Sequence, residues 1–262
     1  MGVPQLRTGL RTEIPGARGT PVGGEAMSTA VARTREESIA LAKEASARLE
    51  GQPADKIVEW AAGEFGDRFC VTSSFADAVL AHVVSKVVPG VPVIFLDTGL
   101  HFAETLRVRE VVQRTLPVTV RSIRPRQTVA EQDAEFGPRL YARDPDECCF
   151  LRKIEPLERA LEDYDAWAAG LRRDESPSRA NTPIVSFEQA RGKFKVSPLA
   201  QWTQADVDAY ISRWNVPVNA LMRQGYASVG CWPCTRRTPP GGDPRGGRWP
   251  MFDKTECGLH TG

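Results

Sequence analysis

Arg68–Ser74 reads RFCVTSS, a short β-rich run, and the next residues, Ala78–Val87 (AVLAHVVSKV), carry apolar side chains at helical spacing. Val91–Thr98 (VPVIFLDT) is a second strand pattern, nearly continuous in apolar residues as a parallel strand buried on both faces requires. Phe102–Arg114 then reads as a helix and Val118–Ile123 as a third strand. Strands alternating with helices predict an α/β fold: a parallel sheet with right-handed crossovers and a ligand site at the C-terminal ends of its strands.

On the N-terminal side, Thr34 and Glu37 form the pattern of a capping box opening a helix, with Ile39 and Leu49 on its apolar side and Gly51 at its end. A second helix is predicted through Ile57, Val58, Trp60, Ala61 and Phe65. On the C-terminal side, a helix after Asp144 carries Cys148 and Cys149. Asp165–Leu171 (DAWAAGL) is a fourth strand, Thr182–Phe187 and Lys193–Val196 form a hairpin, and Thr203 caps a helix through Trp214. The division expected is a tail at 1–26, an α/β domain at 27–240 and a flexible segment at 241–262. The tail is rich in Gly, Pro and Arg, so it cannot offset its own ordering entropy, and Met27 offers an alternative start.

The 262 residues are 41% hydrophobic and 26% charged with a formal net charge of +1, so no global field recruits nucleic acid or an anionic membrane. No stretch approaches the roughly 20 apolar residues of a membrane helix, and no secretory signal opens the chain, which predicts a cytoplasmic protein. In that compartment six cysteines read as metal ligands or catalytic groups rather than as disulfides.

Four of the six are paired: Cys148 with its neighbour Cys149, and Cys231 with Cys234 in C-W-P-C. Four soft thiolates suit a structural zinc or an iron–sulfur cluster. The first pair has no spacer; a cuboidal cluster offers each neighbour its own iron corner, which favours iron–sulfur. A redox C-x-x-C is a third reading, although no thioredoxin-like pattern surrounds it. Cys70, between Phe69 and Val71, is expected to be an inert core residue. Cys257, in E-C-G-L-H, is either a surface thiol or, near His260 and several arginines, an activated one.

The serine loop Thr72–Ala78 (TSSFADA) places hydroxyls and amides at a helix N-terminus, Asp97-Thr98-Gly99 ends the second strand, and Arg172 and Arg173 end the fourth. Arg236, Arg237, Arg245 and Arg248 crowd a segment too poor in core residues to fold unaided, so a metal or a polyanionic ligand is expected to order it.

Together TSSFADA, Leu96–Thr105 (LDTGLHFAET), Gly170–Arg179 (GLRRDESPSR) and Glu256–His260 (ECGLH) resemble the assimilatory adenylyl sulfate (APS) and phosphoadenylyl sulfate (PAPS) reductase family, over about Ile57 to His260. The resemblance implies an adenine-nucleotide α-hydrolase-like (PP-loop-related) fold. It implies a [4Fe–4S] cluster on Cys148, Cys149, Cys231 and Cys234, which mark the branch preferring APS. It implies Cys257 as the nucleophile that takes the sulfonate from APS and releases AMP, with a separate thioredoxin as reductant. Substrate contacts are implied at Ser73, Ser74, Phe75, Asp77, Leu96, Thr98, Lys153, Arg172, Arg173, Arg245, Arg248 and His260. Rival readings are PAPS reduction, an ATP-dependent adenylating enzyme of the same fold class, and a zinc-stabilised module binding nucleic acid. A homo-oligomer is compatible with all of them.

Overall fold

A computed structural model describes residues 33–239, 241–254, 256, 258 and 259. The tail at 1–26, the alternative start at Met27, and both Cys257 and His260 lie outside the described residues.

Six strands form one sheet: β1 (Phe69–Thr72), β2 (Pro92–Leu96), β3 (Thr119–Ile123), β4 (Ala166–Ala168), β5 (Val185–Glu188) and β6 (Lys193–Val196), in the order β3-β2-β1-β4-β6-β5. All neighbours pair in parallel except β5, which runs antiparallel to β6 at one edge. The helices are α1 (Arg35–Leu49), α2 (Ala54–Phe65), α3 (Val79–Val87), α4 (Ala103–Thr115), α5 (Val129–Phe136), α6 (Pro145–Cys149), α7 (Glu155–Ala160) and α8 (Gln204–Trp214).

The two-residue period of the strands divides the core. Phe69, Val71, Val93, Phe95, Ala166 and Ala168 face one cluster with residues of α1 to α4 and α8. Cys70, Ile94 and Trp167 face the other side and pack on Leu157, Ala160 and Leu161 of α7 and its end. Cys70 is the inert core thiol expected, fully buried, and that burial pushes its thiol far above the ordinary range.

The sequence expectations differ from the structure in three places. Ile39 lies on the exposed side of α1, whose buried face is Ser38, Ala42, Ala45 and Leu49. Helix α5 was not anticipated, although Thr128 and Glu131 form a full capping box at its start. The helix carrying the paired cysteines widens into a π turn at Phe150–Ile154 before α7. Pro156 accounts for the widening: it has no N–H to donate and its ring crowds the carbonyl four residues back, which a wider turn relieves.

Beyond α8 the chain turns back over the C-terminal ends of the strands, where the loops after β1, β2 and β4 meet. Asn215, left-handed at φ 49°, ends α8. Val218 then bridges Asp77, Ala78 N–H donates to Pro217 O at 3.0 Å, and Asn219 N–H donates to Ala76 O at 3.0 Å. Further along, Cys231 bridges His101 and Thr235 bridges Arg248. These backbone contacts organise the arm that composition alone left dependent on a ligand.

Candidate active site

The paired cysteines and C-W-P-C converge. Cys148, Cys149, Cys231 and Cys234 line one cavity with Arg152, Lys153 and Trp249. The five described cysteines form no disulfide. Among the described residues no three His, Cys, Asp or Glu side chains are grouped so as to hold a single metal ion. Burial, together with the neighbouring sulfurs, pushes the Cys148 thiol up to about 12, against the pull of Arg152. The same causes push Cys234 up to about 11, against Lys153.

Beside the cage lies Arg152, 3% exposed. Its Nε donates to Thr98 O at 2.5 Å, Nη1 to Gln132 Oε1 at 2.9 Å and Nη2 to Gln127 O at 3.4 Å; all three acceptors are formally neutral. Burying a guanidinium costs several kcal/mol unless negative charge lies close by. Gly99, at φ 71°, makes the approach feasible, since a Cβ there would stand 3.2 Å from Arg152 Nη2. Thr98 is also buried, with Oγ1 3.5 Å from Cys231 Sγ, so it faces the cage. The π turn separates two neighbouring cations: Arg152 runs to the loops behind the cage, whereas Lys153 lies 6.0 Å from the Trp249 ring.

An arginine clamp forms the second part. Arg179 binds both oxygens of Glu256, through Nε at 2.8 Å and Nη2 at 2.9 Å, and Arg245 Nη2 adds a third contact at 2.9 Å. Glu175 binds the remaining arm of Arg179 at 2.5 Å. Arg248 packs 4.6 Å from the Trp249 ring and so close to Gly230 that a Cβ there would meet its Nη2 at 2.2 Å. Burial and the charge of Arg179 hold Arg245 below the usual guanidinium range. Glu256 immediately precedes Cys257, so the clamp grips the segment that carries the expected nucleophile.

Other predicted contacts are dispersed. Phe75 is left-handed at φ 53° with its ring in the core, 5.3 Å from Phe95; it shapes the serine loop and presents no side chain to a ligand. Ser73 Oγ accepts from Phe75 N–H at 3.2 Å, while Ser74 is exposed. Asp77 Oδ1 accepts from Val79 N–H at 2.9 Å at the start of α3, and burial pushes its carboxyl up. Leu96 packs against the α7-side cluster. Arg172 is held by Asp174 and Gln204 at 3.0 and 2.8 Å. Arg173 points to the end of α1, where Glu50 binds it at 2.6 and 2.9 Å. The arginine of that loop that joins the clamp is Arg179.

A sheet whose strand order reverses between β1 and β4, with its site at that switch point, defines an adenine-nucleotide α-hydrolase-like protein. The solved PAPS reductase from Candida auris, a phosphate complex, matches it with TM-score 0.66 and 27% identity over 79% of this chain and 100% of that one. Candida glabrata FMN adenylyltransferase, 14% identical with TM-score 0.53 over 80% of this chain and 69% of its own, shares the fold. The chain belongs to the phosphoadenosine phosphosulfate reductase domain family, whose model matches residues 69–237. It is 58% identical over 87% of its length to the adenosine 5'-phosphosulfate reductase of Streptomyces coelicolor, covering 97% of that protein. It is 47% identical to the one from Mycolicibacterium smegmatis, over 90% of this chain and 100% of that one.

Proposed function

We propose that the protein is a cytosolic, thioredoxin-dependent reductase of adenosine 5'-phosphosulfate, forming sulfite and AMP in sulfate assimilation, with Cys257 as its nucleophile. The observation that carries this reading is the clamp: two arginines from distant loops, Arg179 and Arg245, meet on the residue adjoining Cys257. The 58% identity to a reductase named for the same substrate supports it.

The thiolate of Cys257 attacks the sulfate sulfur in line with the bridging oxygen. A sulfur–sulfur bond forms, the sulfur–oxygen bond breaks, and AMP leaves with the electron pair while the guanidinium groups neutralise its phosphate. A thioredoxin thiolate then attacks the Cys257 sulfur and expels sulfite; its second thiol closes the thioredoxin disulfide. Two thiols supply both electrons.

A [4Fe–4S] cluster fits the cysteine cage on two grounds. Cys148 and Cys149 are adjacent, and a cluster presents a separate iron to each, whereas a single zinc must take both neighbours at about 2.3 Å. Arg152 is buried with all three of its hydrogen bonds on neutral acceptors, and ligated sulfurs would add negative charge beside it. The cluster would contribute fixed charge and structure beside the substrate, held by Cys148, Cys149, Cys231 and Cys234.

Anaerobic purification followed by iron, sulfide and zinc analysis tests the cofactor; one zinc without sulfide refutes it. Cys257→Ser tests the chemistry: AMP release from APS should cease, and release at the wild-type rate would sink the mechanism. Comparing APS with PAPS as substrate separates this reading from PAPS reduction.

A further inference from the structure

Arg191 sits in the turn of the β5–β6 hairpin, outside the loops described above. Its Nη1 donates to Glu188 Oε2 at 3.1 Å and to Leu259 O at 3.3 Å. Glu188 is 2% exposed and also accepts from Lys195 Nζ at 2.5 Å and Trp167 Nε1 at 3.2 Å. Glu188 thus faces two cations, and Glu158, 4.0 Å from Arg191 Nε, stands at ion-pair distance as a second carboxylate. Lys195 already matches the charge of Glu188. The contact of Arg191 Nη1 with the Leu259 carbonyl lies outside these ion pairs.

The segment it touches is anchored twice more. Glu256 is held by the clamp, and the Leu259 side chain packs with Cys149 and Trp249 on one side and with the cluster of Ile94, Leu157 and Trp167 on the other. Position 257 is thus flanked by one residue fixed through its carboxylate and, two residues on, by one fixed through its carbonyl and side chain. We infer that Arg191 is a positioning residue: it sets the register of the Glu256–Leu259 segment against the sheet and thereby aims Cys257. This rests on the reading of Cys257 as nucleophile.

The test uses full-length, anaerobically prepared Arg191→Ala and Arg191→Lys proteins. Lysine keeps a charge near Glu188 but, with its shorter reach, lacks the arginine's span to Leu259. Both variants should release AMP from APS in a single turnover about ten- to a hundredfold more slowly, with KM for APS within about twofold, because misplacing a reacting group costs rate rather than affinity. Amide exchange should quicken at Gly258 and Leu259 and stay unchanged across Val185–Val196. Wild-type AMP release by Arg191→Lys, or equal loosening of the hairpin and the segment, overturns the inference. Should Arg191→Ala fail to fold, Arg191→Lys decides alone. Cys257→Ser separates the failures: if it still releases AMP, the nucleophile reading falls, while the exchange data continue to report on the Arg191 contact.

Discussion

Val71, Val93 and Ala168 are buried in the sheet beneath helices, whereas Thr235, Arg245 and Trp249 belong to an arm held by isolated bridges and arginine contacts beside four thiols. The sheet draws its stability from apolar area, which is non-directional and tolerant of small changes in shape. The arm depends on a few directional contacts, each of which matters individually. Loss of one contact should therefore disable the arm while leaving the sheet folded.

Cys231→Ser presses that contrast hardest: bound iron should fall to background and sulfite production by more than about a hundredfold, with the cooperative melting of the sheet retained. If the sheet melted as well, the two regions would be one folding unit. From the other side, Phe95→Ala should cost about 3–5 kcal/mol in denaturant unfolding, as large core truncations do. The iron content of its folded fraction should remain that of wild type. Arg179→Ala removes charge-assisted hydrogen bonds worth about 1.5–3 kcal/mol, so kcat/KM for APS should fall by about ten- to a hundredfold at unchanged iron content. Smallest of all, Arg173→Ala should leave KM for APS within about twofold and cost no more than about 1 kcal/mol, since its pair with Glu50 is partly solvated. A tenfold rise in KM would restore Arg173 to the substrate site.

The sequence made the sheet readable and the arm much less so, for the same physical reason. The short apolar runs FCVT and PVIFL and the capping boxes at Thr34 and Thr203 are local signals, and the structure reproduces each element. The box at Thr128 is equally local and opens α5. Which arginine of G-L-R-R-D-E-S-P-S-R faces the clamp is decided by how the loop packs against Glu50 and Glu256, residues about 120 and 80 positions away. Likewise, nothing local distinguishes Arg152 from Lys153; a wide turn set by Pro156 sends one behind the cage and the other toward Trp249. Thr98 and Phe75 sit in recognisable motifs, yet one serves the cysteines and the other the core.

The split cage also has a consequence for biosynthesis. Cys148 and Cys149 leave the ribosome roughly 80 residues ahead of Cys231, an interval of about 4–16 s at about 5–20 residues per second. Throughout that interval two adjacent thiols wait beside a completed β1–β2–β3 unit without their partners. Delivery of iron and sulfide for the proposed cluster would therefore follow emergence of the arm, and a nascent chain stalled between the two pairs would expose a dithiol open to scavenging by zinc or to oxidation.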